Sequence, residues 1–437
     1  MNNYSDAVKK LYSLQDVGIK LGLDNIKKLL LNINNPDKNL KFIHVAGTNG
    51  KGSVCATVAK ALENVGFKVG FYSSPHLVSL RERLRINGKG ISRDRLTGLI
   101  NDIWPTVDKM YNDDDKLTFF EVTVAMAVNY FAQEKCDFVV WETGLGGRLD
   151  STTAVNPIVT AITSIGLDHQ AYLGDTLEKI AYEKAGIIKK NIPMFTSKIP
   201  DGPLNVIKKV AEDRGAPFYP FNENALTFSR NIESRLNNWD FCVNETIDLK
   251  GRENNFVLPL PGFAQPMNMT LAYSIIKYLA KTYSFDLYSA LQGIKNLKWH
   301  GRIQLLPDGN ILDGAHNPQG IEILVSSIKK SYPGRKFSVI FGCLEERNPK
   351  QVIMMLSEIS DKFIFVPVTS SRKCFEPDDM VKLLKSLQNF NIECKTADSL
   401  KNALSMINNK KTLITGSLYL AGEALMEYYC EDEVINI

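Results

Sequence analysis

Short apolar runs alternate with stretches of helical period along almost the whole chain, a pattern that predicts α/β layers built on largely parallel sheets. The first element is a helix over Leu23–Leu31, followed by a strand at Lys41–Ala46, a glycine-rich turn and a second helix. In that helix Val54, Val58, Ala61, Leu62 and Val65 recur on one stripe, and Gly66 closes it. Further strands are expected at Lys68–Tyr72, Asp137–Trp141 and Pro157–Ile165. Residues 220–260 break the rhythm, being asparagine-rich with short alternating apolar stretches that suit antiparallel hairpins or an insertion. A helix over Met267–Lys281 restores it. After Trp299 a second series begins, with strands near Asn310–Asp313, Phe337–Phe341, Phe363–Val368 and Thr412–Thr415. Two domains are therefore expected, residues 1–297 and 298–437.

Composition narrows the classes of function. With 52 basic and 48 acidic residues the net charge is only +4, which does not point to nucleic acid or an anionic membrane as partner. The local cluster Arg81, Arg83 and Arg85 is either a solvated edge or a face for an acidic small molecule. No apolar run approaches the ~20 residues of a membrane helix, and the opening MNNYSDAVKK lacks a signal peptide's apolar core. Seven scattered cysteines without a CxxC pair read as reduced thiols of a cytosolic protein.

The strongest chemical signal is Gly47-Thr48-Asn49-Gly50-Lys51-Gly52-Ser53, between a strand and a helix. Glycines let backbone N–H groups approach phosphate oxygens, and a helix amino terminus adds its positive dipole end. Lys51 would reach the β- and γ-phosphates and Ser53 a magnesium ion. The spacing departs from GxxxxGK[ST], because Gly52 separates Lys51 from Ser53. A glycine-rich turn without a ligand is the plainer alternative.

In open α/β sheets ligands bind outside the carboxyl ends of the strands. Four predicted strands end in polar residues: the phosphate loop, Ser73-Ser74-Pro75-His76, Glu142 before Gly-Leu-Gly-Gly-Arg, and Asp168-His169. A hydroxyl, a carboxylate and an imidazole there could complete a magnesium shell. Singly each has a duller reading: Ser74 caps a turn, Glu142 pairs with Arg148, His169 is a satisfied loop histidine. Lys184 follows Leu177, Ile180 and Ala181 on the core-facing stripe of a helix that Asp175 and Glu178 would open, and a buried lysine needs a partner or a route to solvent. In the second domain, Arg302 and Asp313 could hold a nucleotide's phosphates and ribose, or simply pair with each other.

Taken together, HVAGTNGKGS (44–53), FYSSPHL (71–77), RERLRING (81–88), ETGLGGRLDST (142–152), LDH (167–169), EKAGIIK (183–189), HGR (300–302), DGAHN (313–317) and TGSLYLA (415–421) resemble the motifs of the folylpolyglutamate synthase and dihydrofolate synthase family, within the Mur ligases. The resemblance implies a mostly parallel P-loop domain, a smaller Rossmann-like carboxyl domain and an active site between them. It implies that Thr48 to Lys51, within the Gly47–Ser53 loop, bind ATP phosphates, while Asn268, Arg302 and Asp313 bind the rest of the nucleotide. Ser74, Glu142 and His169 would hold Mg²⁺, two ions being expected, and Lys184 would be carbamylated. A carbamate turns a repelled cation into an anion able to support a second metal. Glu346-Arg347-Asn348 stands where the family often has a DKD-like triplet, and Ala264-Gln265 where it has His-Gln.

The implied reaction transfers the γ-phosphoryl group of ATP to a substrate carboxylate, and the amine of L-glutamate attacks the acyl-phosphate. His316 is the candidate for orienting the amino acid. The first substrate would be a reduced folate, dihydropteroate or both. Gly22-Leu23, Thr118-Phe119-Phe120-Glu121 and Leu149-Asp150-Ser151 resemble walls of a pterin pocket, with an aromatic face and an acid for ring N–H groups. Both phenylalanines fit a helix core equally well. A monomer binding no nucleic acid is expected. The competing readings are another Mur-type amide ligase, for whose extra domain the 46 residues before Gly47 are too few, and a nucleotide-binding switch without ligase activity.

Overall fold

The computed structural model describes residues 3–18, 20–112, 115–230, 239–244, 255–345, 347, 349–370, 372–387, 392–407 and 411–437. In chain order the first strands are β1 (Phe42–Ala46), β2 (Val69–Tyr72), β3 (Leu84–Ile86), β4 (Lys89–Gly90), β5 (Phe138–Glu142), β6 (Pro157–Ile162), β7 (Met194–Thr196) and β8 (Phe218–Tyr219). They form one sheet in the order β4-β3-β2-β5-β1-β6-β7-β8. It is parallel except at one edge, where β3 runs antiparallel to both β2 and β4. Strand β1 lies between β5 and β6, so the crevice expected of an open α/β sheet opens beyond its carboxyl end.

All five residues of β1 are buried because helices cover both faces, and a doubly covered strand reads as a continuous apolar run. Its one polar member, His44, bonds Thr143 Oγ1 at 2.9 Å and Thr152 Oγ1 at 3.0 Å. Burial pushes that imidazole down to about 3, so it is neutral. The following helix, Lys51–Asn64, corrects the single-stripe expectation: Gly52 to Ala59 are all buried. The sheet takes one side, and the helices Gln265–Tyr283 and Leu287–Gly293 pack on the other. Val65 falls just outside the helix as its cap. The helix carrying Lys184 spans Leu177–Ala185 and is capped by Thr176, whose side chain accepts from Lys179 N. Asp175, expected to open it, pairs with Lys179 Nζ at 2.8 Å instead.

Residues 226–258 hold β9 (Leu226–Arg230), β10 (Trp239–Val243) and β11 (Asn255–Leu258), an antiparallel sheet as the alternation there suggests. Beyond it come β12 (Gln304–Leu305), β13 (Ile311–Leu312), β14 (Phe337–Phe341), β15 (Ser360–Phe365), β16 (Glu393–Thr396) and β17 (Thr412–Thr415). Their order is β12-β13-β17-β14-β15-β16, parallel except for β12, with separate apolar cores on the two faces. The arginine cluster is not a solvated edge: Arg83 and Arg85 are buried, and Arg85 lines the cavity between the two sheets. Arg81 pairs with Asp432 at 2.9 Å, and Arg85 Nε donates to Ile435 O at 2.8 Å, so the hairpin edge of the larger sheet is tied to residues 431–437. All seven cysteines are free thiols. Among the described residues no helix is long and apolar enough to cross a membrane.

The two sheets also meet where helix Leu418–Tyr428 crosses the loop after β2. A Cβ at Gly422 would fall 2.0 Å from the carbonyl oxygen of Leu77. Gly422→Ala should therefore cost about 1–3 kcal/mol by overpacking, read as a lower urea midpoint; an unchanged midpoint would contradict this contact.

Candidate functional site

Phosphate-loop geometry follows from close approach. Gly47 has φ +152°, and a Cβ there would lie 1.8 Å from Thr163 Oγ1 at the end of β6. Thr48 N donates to Ser164 O at 2.8 Å and Asn49 N to Ser164 Oγ at 2.9 Å. The ends of β1 and β6 are thus laced together before the helix starts at Lys51. Asn268, from helix Gln265–Tyr283, lies against Gly50, where a Cβ would meet its Oδ1 at 2.5 Å.

Two lysines converge on one backbone oxygen. Lys51 Nζ donates to Gly47 O at 2.9 Å and to Thr48 O at 3.2 Å, while Lys184 Nζ donates to Gly47 O at 2.9 Å. Lys184 is only 4% exposed, which decides its chemistry. Burial, reinforced by the neighbouring charge of Lys51, pushes its ammonium down from 10.5 to about 7. Glu142 is buried at the end of β5; desolvation raises its carboxyl while Lys51 opposes the rise. It does not pair with Arg148, which bonds Glu183 at 2.8 Å. Glu142 accepts from Ser74 N at 3.3 Å, and the buried Ser74 Oγ has no hydrogen-bond partner among the described residues.

These donors bear on a metal. Among the described residues no three His, Cys, Asp or Glu side chains gather into a preformed cage. A partnerless buried hydroxyl beside a buried carboxylate does fit a hard cation that takes its other ligands from phosphate and water. His169 fits less directly. Its backbone is left-handed at φ +50°, and its Nε2 lies 3.4 Å from the guanidinium of Arg347.

Arg347 reaches across from the loop after β14 and pairs with Asp168. Burial alone would raise Asp168, but Arg347 and the nearby histidines hold it down to about 2. Glu346 and Asn348, the other members of that triplet, lie outside the described residues. His316 Nδ1 donates to Gly314 O at 2.8 Å, which leaves Nε2 as an acceptor. Burial, helped by Arg347, brings this imidazole down to about 4, so it is neutral near pH 7. Asp313 accepts from Ile303 N and Ala315 N, both at 2.8 Å; burial raises its carboxyl and Arg302 counters. Arg302 Nη1 donates to Gly301 O at 2.9 Å.

Every predicted nucleotide and metal residue, with Lys184 and His316, lines one cavity of about 250 Å³ between the two sheets. The residues read as pterin walls do not line it. Gly22 N does donate to Leu149 O at 3.3 Å, so two of those segments are neighbours. Leu23 and Phe120 are partly buried against the helical core beside the sheet, and Phe119 stacks on Tyr12 with centroids 5.3 Å apart. Phe120 also packs on Gly144, a cavity residue, where a Cβ would meet its ring at 2.4 Å. The acids offered for ring N–H groups are already engaged. Glu121 accepts from Thr118 N at 2.8 Å in a capping box. Asp150, ahead of the buried Ser151, accepts from Leu145 N at 2.7 Å and Thr152 N at 2.9 Å. Sequence reasoning gave no role to Asn317, quoted only within DGAHN, and missed Gln319; both contact Asn49. The only signal was Asn before Pro318, the mark of a helix cap.

Comparison with known proteins bears on the family and the fold. Residues 45–276 match the Mur ligase middle domain and residues 301–418 the Mur ligase glutamate ligase domain. The chain is 33% identical to the dihydrofolate synthase/folylpolyglutamate synthase of Bacillus subtilis, over 96% of this chain and 98% of that one. Its fold is similar to the crystal structure of folylpolyglutamate synthase from Thermotoga maritima, with a TM-score of 0.82, 32% identity and coverage of 99% and 98%. It is also similar to E. coli FolC in complex with DHPP and ADP, with a TM-score of 0.81, 29% identity and coverage of 96% and 97%.

Lys184 gives a stability test. Its folded-state value near 7 lies below the ordinary 10.5, so the unfolded chain binds more protons between those limits and wild-type stability rises with pH across them. In bicarbonate-free buffer at pH 8, Lys184→Met should be more stable than wild type by about 3 kcal/mol. The gap should close as pH approaches 10.5. Equal stability at pH 8 would show that the lysine is not held neutral.

Proposed function

The chain belongs to the folylpolyglutamate synthase and dihydrofolate synthase family of Mur ligases, and from that membership we propose how its cleft works. It is an ATP-dependent ligase that joins L-glutamate to a folate. A switch without ligase activity and a ligase of another Mur type are therefore set aside.

The observation that carries the reading is the pair of lysines on Gly47 O, with Glu142 and Ser74 opposite. Backbone N–H groups of Gly47 to Ser53 would cradle the ATP phosphates, and Lys51 would leave its carbonyl partners for the β- and γ-oxygens. Asn268, Arg302 and Asp313 would hold the remainder of the nucleotide. Asp313 does so by fixing the loop that carries Arg302, since its oxygens already accept two backbone N–H groups. Ser74 and Glu142 would hold Mg²⁺, joined by His169 once its ring turns from Arg347, and the bound ion would offset charge on the phosphoryl oxygens. A lysine near neutrality is the form that reacts with carbon dioxide, so Lys184 is the candidate for carbamylation and for support of a second ion.

The substrate carboxylate takes the γ-phosphoryl group, giving an acyl-phosphate and ADP. Glutamate's amine then attacks the acyl carbon, the C–O bond to phosphate breaks, and phosphate leaves. Neutral His316 would accept a hydrogen bond from the incoming amine through Nε2. The chain would act as a cytoplasmic monomer of two domains, residues 1–297 and 298–437. It would take dihydropteroate as well as reduced folates, with Phe120 bringing the pterin wall up to the cavity through Gly144.

Lys51→Ala should abolish ligation, a loss of at least ~100-fold, with the fold retained by circular dichroism; near-normal turnover would refute the phosphate-loop role. Lys184→Ala should be nearly inactive and partly restored by acetate standing in for the carbamate; Lys184→Arg at full activity would refute the carbamate. Wild-type enzyme should ligate glutamate to dihydropteroate and to tetrahydrofolate. No detectable product from dihydropteroate would leave only the polyglutamylating reaction.

A further inference from the structure

The loop that carries His316 runs into helix Pro318–Ser331, and its first residues grip the phosphate loop directly. Asn49 Nδ2 donates both its hydrogens across the cleft, to Gln319 Oε1 at 2.9 Å and Asn317 Oδ1 at 3.2 Å. Asn317 Nδ2 returns a bond to Asn49 Oδ1 at 3.2 Å and a second to Asp168 Oδ2 at 3.0 Å. Gln319 Nε2 points to Ile165 O at 3.4 Å, and the side chain lies flat on Gly166, where a Cβ would come within 2.4 Å of its Oε1. Gly166 is itself bonded both ways to Thr48, its N donating to Oγ1 at 3.0 Å and its O accepting from Oγ1 at 3.1 Å. With the Arg347–Asp168 pair, these contacts make a polar clasp over the ends of β1 and β6.

We infer that Gln319 and Asn317 are positioning residues that lock the amine-receiving loop onto the phosphate loop, so that the acyl-phosphate meets glutamate's amine and not water. The inference rests on the acyl-phosphate reading above. Neither residue touches the reacting atoms; they act through Asn49 and Asp168. Asn49 spends its whole amide on the clasp, so the phosphate loop and the His316 loop sit in one register. A loosened clasp would admit water to the acyl carbon. Water's oxygen would attack, the C–O bond to phosphate would break, phosphate would leave and a proton would pass to solvent. The net reaction is then ATP hydrolysis with the folate regenerated.

The test compares phosphate released with amide bonds formed, at saturating glutamate, in wild type, Gln319→Ala and Gln319→Met. Methionine keeps the length and the packing on Gly166 but removes both hydrogen bonds. Wild type should release close to one phosphate per amide; both variants should release about tenfold more per amide, with KM for ATP little changed. The excess should require folate, and ¹⁸O in the folate carboxylate should appear in the phosphate of every form. Variants that lose kcat while keeping the wild-type ratio would reduce Gln319 to a structural role and overturn the inference, as would excess phosphate release independent of folate. Wild type that transfers no ¹⁸O would overturn the acyl-phosphate reading itself.

Discussion

Two ammonium groups share one carbonyl oxygen inside a closed cleft, and the site is organised by that constraint. Lys51, half-buried, and Lys184, buried, both end on Gly47 O, and a desolvated ammonium beside a second positive charge is costly at neutral pH. Lys184, the more enclosed, yields. Its helix is anchored by the Thr176 cap, and Gly147 lies so close to the backbone at Glu183 and Lys184 that a Cβ there would meet Glu183 O at 2.7 Å. The backbone that carries the lysine is therefore fixed against the loop that follows β5. Gly47 is equally fixed, by Thr163 and by its place at the end of β1. What remains is a cleft rich in positive charge beside a buried carboxylate, suited to a polyphosphate with its cation.

Catalysis of this kind depends on placing reactants more than on a side-chain nucleophile. On the proposed roles, the phosphate loop belongs to one sheet and the His316 loop to the other, so the register between sheets would be the register between phosphoryl donor and attacking amine. That register is held at two ends. The clasp through Asn49, Asn317 and Gln319 sits over the reacting centre, and residues 431–437 tie the far side through Arg81 and Arg85. Trp299, between the two, lies over Gly52 and against Phe71, filling the hinge side of the cleft.

Much of this was legible in the sequence because strand ends and glycine loops leave short-range marks. The phosphate loop, Ser74, Glu142, Asp168 and His169 each follow an apolar run, and the observed strands end within a few residues of them. Strands β14 and β17 match their expected bounds because both are buried runs that begin after a lysine and stop at a glycine. The helix after the phosphate loop was misread as one-sided, since small apolar residues all round a helix carry little period. Glu121 and Asp150 looked available because a capping carboxylate and a ligand-binding one are the same residue type. Gln319 left no mark at all, and Arg347 showed only as the middle of a departure from the family's triplet: their roles come from the approach of two bodies distant in sequence, which no local pattern encodes.

The most direct test is the titration of Lys184 itself, followed by NMR of lysine side chains labelled at Cε, with Lys184→Met to assign the signal. The structure predicts a midpoint near 7 that moves upward when Lys51 is replaced by alanine, since one of the two causes is then removed. A midpoint near the ordinary 10.5, unmoved by Lys51→Ala, would contradict the paired-lysine constraint on which this account of the cleft stands.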